Sequence, residues 1–271
     1  MKPKPLLVID GDSLAHRAYH AMPKSVRLGA VLGFTNMLVR LWEAEAPRAV
    51  LVGWDSIGEP TYRNEAFEAY QSGRVFDPEL LEQLDMLPEL VRAAGFAAAK
   101  GAGYEADDFL GAAVAFEEAR DGTAVVATSD RDMFQLASER TTILQPVRGV
   151  SELTRIGPAE VRERYGVDPE QVPDFIALRG DPSDKLPGAA GVGPKKAADV
   201  LREYGTLEAA LEAGRFSAEA EDLRLYRRIA TVDASAPLPS IEDQHPAWAE
   251  ASSLVRSWGL NQLADRLASM T

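Results

Sequence analysis

Eight acidic residues stand where short apolar runs end or where a helical pattern begins. Asp10 and Asp12 follow PLLVI, Asp55 follows AVLVGW, and Asp130 and Asp132 follow TAVVATS; Glu105, Asp107 and Asp108 open EADDFLGAAVAFEEAR. One acid at a strand tip is ordinary, because it caps the next helix. Acids in a first helical turn are favoured by the helix dipole. Three strand tips and a helix start acting together are different, since ligands of open α/β sheets bind at the carboxyl ends of the strands. Carboxylates gathered there repel, and their pKa values rise unless cations sit between them. A site of oxygen ligands alone selects hard ions, Mg²⁺ or Mn²⁺. Two such ions about 4 Å apart clamp the attacking and leaving oxygens in phosphoryl transfer. Helix capping is the alternative reading of the same acids.

A second signal lies in GDPSDKLPGAAGVGPKKAADVL, residues 180–201. Gly188, Gly191 and Gly193 let the backbone turn tightly and approach a ligand. Pro194 can open a helix whose free N–H groups, beside Lys195 and Lys196, suit a phosphate. With PDFIALRG before it, this reads as a helix–hairpin–helix unit, which grips a nucleic-acid backbone without reading sequence. Asp181 and Asp184 in its loop can return to the acidic centre. An ordinary helical hairpin with solvated lysines is the plainer alternative.

These residues need a scaffold. Residues 5–10, 49–55, 123–130 and 141–146 read as buried strands, with 96–100 a weaker one. Residues 28–45 (with Leu32, Met37, Leu38 and Leu41 as core), 78–94 and 105–120 have helical spacing. The alternation predicts an α/β fold, a mostly parallel central sheet flanked by helices. After about residue 155 the pattern changes to helices and Gly/Pro loops. The expected division is a core over 1–165 and a helical region over 166–271, the hairpin unit occupying about 173–203.

The 271 residues carry 29 basic and 42 acidic side chains, a net charge of −13. That excludes an all-over basic binder but not local basic strips: no acid occurs between Ser13 and Trp42, which hold Arg17, Lys24, Arg27 and Arg40. The absence of cysteine excludes disulfides, thiolate metal sites and a cysteine nucleophile, and three histidines are too few for a histidine-rich centre. His16 and His20, one turn apart, are read as structural or phosphate-adjacent rather than as ligands. No apolar stretch nears the roughly 18 residues of a membrane span, so a soluble, cytoplasmic protein without a membrane partner is expected.

VIDGDSLAHRAYHA, TYRNEAFEAYQSGR, GYEADD, TSDRDMFQL and RGDPSDKLPGAAGVGPKKAA occur in this order. Together they resemble the 5′ nuclease domain of bacterial DNA polymerase I and the stand-alone bacterial and phage flap endonucleases, over residues 5–235. With no polymerase pattern following, a stand-alone nuclease is expected. The resemblance implies a structure-specific 5′ nuclease (5′-3′ exonuclease and flap endonuclease) with two or three Mg²⁺ or Mn²⁺, acting in replication or repair. Asp10, Glu105 and Asp107 would hold the first ion, with Asp55 near it. Asp108, Asp130, Asp132 and Asp184 would surround the second, with Asp181 close by. Gly188, Gly191, Val192, Gly193, Lys195 and Lys196 would bind duplex backbone, with K⁺ on the loop carbonyls. Residues 57–80 would form a helical arch threading the single-stranded 5′ end. Arg63, Tyr70, Gln71 and Arg74 would meet DNA there, and Arg17 and Arg74 would serve catalysis. The implied substrate is DNA with a 5′ flap or 5′ end at a junction, RNA primers included, and the implied state a monomer.

Three positions depart from the family pattern. Gln71 stands where the arch usually has lysine and brings no positive charge to the phosphate. Asp12 replaces an uncharged residue, and Lys185 replaces an asparagine, the latter expected to matter little. Tyr19, Phe34 and Tyr70 could stack on bases, although helical spacing favours core for Tyr19 and Phe34. Gln71 motivates one alternative, a junction-binding protein with weak or no cleavage. The pair Asp10 and Asp12 motivates a remoter one, a haloacid-dehalogenase-type phosphatase, which would have no use for the glycine hairpin.

Overall fold

The structure, a computed structural model, describes residues 4–73, 75–148 and 152–270. Arg74 lies outside the described residues. The chain runs β1 (Leu6–Asp10), α1 (Gly11–Ala21), α2 (Gly29–Glu45), β2 (Ala49–Gly53), α3 (Tyr62–Ala66), α4 (Pro78–Ala93), β3 (Ala97–Ala99), α5 (Ala106–Glu118), β4 (Ala124–Ala127), β5 (Thr141–Arg148) and β6 (Glu152–Ile156). It continues with α6 (Pro158–Tyr165), α7 (Val172–Arg179), α8 (Pro194–Tyr204), α9 (Leu207–Glu212), α10 (Ala220–Ala230), α11 (Trp248–Ser257) and α12 (Asn261–Ala268). Among the described residues the sheet has the order β3-β2-β1-β4-β5-β6, parallel throughout except for the β5–β6 pair.

Strands buried on both faces explain the unbroken apolar runs of β1 and β2. Alternate residues of β1 feed two cores. Leu6 and Val8 face the layer built by α5, α7, α8 and α10. Leu7 and Ile9 face α1, α2 and α4. The last helices, part of the helical region expected over 166–271, pack on this second face. Trp248 of α11 meets Trp42 and Phe96 edge-on, with ring centroids 6.5 and 5.5 Å away.

The expected α/β fold is present, with differences at its margins. Strand β6 had no signal, because Glu152–Ile156 (ELTRI) is exposed along most of its length and lacks a buried run. β2 and β4 stop at Gly53 and Ala127, so Asp55 and Asp130 lie in the loops just beyond the strand tips. Among the described residues of 57–80 the helices are α3, with five residues, and the first turn of α4. Thr61, Arg63 and Tyr70 of this segment are buried.

Candidate active site

The turn from β1 into α1 places the first carboxylate. Asp10 is the N-cap of α1: its Oδ1 accepts from the Ser13 N–H (2.9 Å) and its Oδ2 from the Thr128 hydroxyl (2.6 Å). Capping and site-building are therefore the same act here. Asp12, one residue into the helix, accepts from the Asp55 N–H (2.8 Å), and Asp55 in turn accepts from the Ala106 N–H at the head of α5 (2.7 Å). Two acids are thus used to tie the β2 loop to α1 and α5.

Glu105 is the N-cap of α5 and is held from one segment. Its Oε1 accepts from the Thr61 hydroxyl (2.8 Å) and its Oε2 from the Tyr70 hydroxyl (2.9 Å). Asp107, one residue beyond the first helical position, lines with Asp10, Asp12, Asp55, Glu105 and Asp130 a cavity of about 330 Å³. Among the described residues no lysine or arginine lines it.

Such crowding leaves the charge poorly compensated. Burial, then the charges of Asp55 and Asp130, push Asp10 up to about 7. Burial, then Asp130 and Asp10, hold Asp107 well above the usual carboxylate range. Asp12 is raised by burial and Asp55, and Glu105 by burial against the pull of Arg63. Desolvation plus like charge is the environment a divalent cation relieves. Among the described residues no three acids or histidines are drawn together tightly enough to hold an ion as they stand. The donor set, carboxylate oxygens alone around a cavity, fits a hard divalent ion in chemistry and charge.

A second, adjoining cavity of about 610 Å³ is lined by Asp130, Asp132, Asp181 and Ser183, with Arg131 and Arg179. Burial, then Asp130, Asp181 and Asp184, raises Asp132. Asp181 accepts from the Ser183 N–H (2.8 Å) and hydroxyl (2.5 Å) and from Arg179 Nη2 (3.2 Å). Its loop is closed by a backbone bridge to Leu186 and by the approach of Gly188 to Gly180. A Cβ on Gly188 would stand 2.4 Å from the Gly180 nitrogen, and both glycines have φ above +70°. Gly191 and Gly193, by contrast, face open space, as a ligand-binding loop requires. Gly193 is the N-cap of α8 and Pro194 its first residue. Val192 is half-buried against the core, and Lys195 and Lys196 are exposed; Lys196 Nζ donates to the Gly191 carbonyl (2.9 Å).

Three of the expected site residues are engaged or buried inside the fold. Asp108, assigned to the second ion, is fully buried and its oxygens are taken: by Arg63 Nη2 (2.7 Å) and Nη1 (2.8 Å), and by the N–H groups of Glu105 (3.0 Å) and Asp233 (2.8 Å). Arg63, assigned to DNA, is 3% exposed and also donates to the Ile229 carbonyl (2.9 Å), so it is a buried strut. Tyr70, 4% exposed, offers no face to a base. No local pattern signals the Arg63–Asp108 pair, which joins residues 45 apart in sequence.

Gln71 and Lys185, two of the three departures from the family pattern, each bond across to the other's segment. Gln71 Nε2 donates to Tyr70 Oη (2.8 Å) and Asp184 Oδ1 (3.0 Å), while Lys185 Nζ donates to Ser72 Oγ (3.0 Å). Both residues have left-handed backbone, φ 49° and 59°. Lys185 therefore ties residue 72 to the hairpin loop, more than the sequence suggested. Arg17 is half-buried on α1 and lines neither acidic cavity, whereas His16 lines the first. Phe34 is core, and the Tyr19 hydroxyl donates to Asp77 (2.8 Å). A further cavity of about 830 Å³, lined by residues of α3 and α10, holds none of the clustered acids.

The acids at the carboxyl edge of this sheet, followed by α7, the glycine loop and α8, agree with the sequence relationships of the chain. Residues 5–166 match the 5′-3′ exonuclease, N-terminal resolvase-like domain, and residues 167–251 the 5′-3′ exonuclease, C-terminal SAM fold. The chain belongs to the 5′-3′ exonuclease family. It is 40% identical over 236 residues to DNA polymerase I of Bacillus caldotenax, covering 84% of this chain and 27% of that protein. Against DNA polymerase I of Mycobacterium tuberculosis it is 41% identical over 215 residues, covering 76% and 24%. The chain thus spans about a quarter of the length of these curated relatives. A structure of the T5 5′-exonuclease with bound divalent metal ions (zinc) shares the fold, with a TM-score of 0.73 at 18% identity over 98% of both chains.

Proposed function

We propose that this 5′ nuclease hydrolyses DNA phosphodiesters where a 5′ flap or 5′ end meets duplex, using Mg²⁺ or Mn²⁺. The observation that carries the reading is the pair of adjoining acid-lined cavities, the first without lysine or arginine among the described residues. Asp10, Glu105 and Asp107 would hold one ion, with Asp55 and Asp12 around them. Asp130, Asp132, Asp181 and Asp184 would hold the other, without Asp108. Bound there, the ions supply Lewis-acid stabilisation of phosphate charge and a lowered pKa for the attacking water. The chain's own groups orient the donors: Thr128 and Ser13 fix Asp10, and Thr61 and Tyr70 fix Glu105. The α8 N-terminus and Lys195 grip duplex backbone. K⁺ on the hairpin carbonyls, RNA primers as substrates, a monomeric state and a cytoplasmic setting complete the reading. No helix among the described residues is long and apolar enough to cross a membrane.

The test is cleavage of a 5′-end-labelled flap duplex in Mg²⁺ or Mn²⁺, beside EDTA and Asp130→Ala controls. Cuts near the junction that vanish in both controls are expected. One observation favours a second reading, junction binding with weak cleavage: the residue at position 71 is a neutral amide bonded to Asp184. Tight flap binding without cutting in either metal would establish it.

A further inference from the structure

The second acidic cavity contains an unmet demand of the opposite sign. Among the described residues four buried side-chain polar atoms have no hydrogen-bond partner, and two of them, Ser129 Oγ and Arg179 Nε, belong to residues lining this one cavity. Buried polar groups are normally satisfied, so two orphans in one place ask for a partner. Arg179 is the last residue of α7, and its side chain is 22% exposed. Its guanidinium carbon lies 5.9 Å from the ring centroid of Tyr165 and 5.4 Å from that of Phe175. Those rings stack on each other 5.0 Å apart at 19°, so the guanidinium rests on a rigid aromatic ledge. Of its five N–H groups, one donates to Asp181, at 3.2 Å.

We propose that Arg179 and Ser129 together bind a non-bridging phosphate oxygen of the nucleic-acid strand, on the side of the acidic centre that faces the hairpin loop. A phosphodiester oxygen accepts from both a guanidinium N–H and a hydroxyl, and Arg presents its donors in a preformed fork. A divalent cation would repel the guanidinium and leave its Nε unbonded. The cavity is walled on one side by Pro182 and Ser183 of the hairpin loop and on another by Asp130 and Asp132. A phosphate there is held next to the carboxylates without lying on them. Arg179 thereby couples backbone grip by the hairpin to placement of the strand over the acids. The inference rests on nucleic acid being the substrate and not on which metal is used.

The test compares binding of a 5′-flap duplex, by fluorescence anisotropy in EDTA across a salt series, for the wild type, Arg179→Met, Arg179→Lys and Ser129→Ala. Methionine keeps apolar contact with Tyr165 and Phe175 while removing the fork. Arg179→Met is expected to weaken binding about tenfold and to lower the salt slope by about 0.9. Arg179→Lys restores the slope but not the full affinity, and Ser129→Ala loses about threefold. Single methylphosphonate linkages walked along the strand supply the direct readout. At one position neutralisation weakens the wild type and costs Arg179→Met nothing further. Affinities within twofold and an unchanged slope for Arg179→Met, or methylphosphonate profiles identical in the two proteins, overturn the proposal. If Arg179→Met melts below the assay temperature, Arg179→Lys and Ser129→Ala decide: wild-type affinity in both overturns it.

Discussion

Replacing Arg63 with methionine separates a structural strut from a DNA contact. In the folded protein the guanidinium makes bonds of 2.7 and 2.8 Å to Asp108 and 2.9 Å to the Ile229 carbonyl, with Glu105 3.4 Å away. Burial opposes its charge, but the bond to Asp108 and the charge of Glu105 outweigh that and keep it firmly protonated. Methionine fills the space and leaves the Asp108 carboxylate fully buried without its cation. Breaking a buried pair from one side costs about 3–5 kcal/mol. At about 2–4 °C per kcal/mol for a chain of this size, Tm should fall by about 6–20 °C. The double variant Arg63→Met/Asp108→Asn removes the stranded charge and keeps a carbonyl oxygen for one of the Glu105 and Asp233 N–H groups, which bond to different oxygens of Asp108. It should recover part of the loss, by more than about 1 kcal/mol. The assays are thermal melts of both variants and salt-dependent flap binding below their melting range. A Tm shift under about 2 °C together with a salt slope reduced by about 0.9 would refute the reasoning and return Arg63 to the DNA-binding surface.

Three further outcomes follow from the same geometry. Because burial raises Asp10 from 3.8 to about 7, the folded state holds a proton that the unfolded state has released within that window. Metal-free stability contributed by this group is therefore greatest at the acid end and falls by about 1.4 kcal/mol per pH unit as pH rises towards 7. The gain in Tm on adding Mn²⁺ over EDTA should consequently grow between pH 5.5 and 8, and a gain independent of pH would contradict the assignment. Gly188→Ala should destabilise by about 1–3 kcal/mol through its positive φ, with more from the 2.4 Å clash. Gly191→Ala has the same sign of φ but open space, and should cost less; chemical denaturation of both variants checks the order. Lys195→Ala, exposed at the start of α8, should leave Tm unchanged and lower the salt slope of duplex binding by about 1.

Some of this protein is written locally. The apolar runs before Asp10, Asp55 and Asp130 specify buried parallel strands because period and composition are properties of a few adjacent residues. The same runs place their acids at one sheet edge, since parallel strands all end on the same side. Gly188 through Pro194 likewise announce a tight loop and a helix start, because allowed φ values are set residue by residue. Other features carried no such mark. Exposed β6 has no hydrophobic pattern to read. Asp107 and Asp108 are neighbours of one type, yet one lines the cavity and the other is spent on Arg63, a choice made by helical phase and by a partner 45 residues away. Tyr70 and Arg63 look like exposed arch residues until residues 61–72 are laid against Glu105 and α10. Arg179 reads as an ordinary helix end until Tyr165 and Phe175 are beneath it. Local sequence determined which residues are acidic, apolar or free to turn; only the packed chain decided which charges face each other, because Coulomb and desolvation energies depend on distances that the order of residues does not contain.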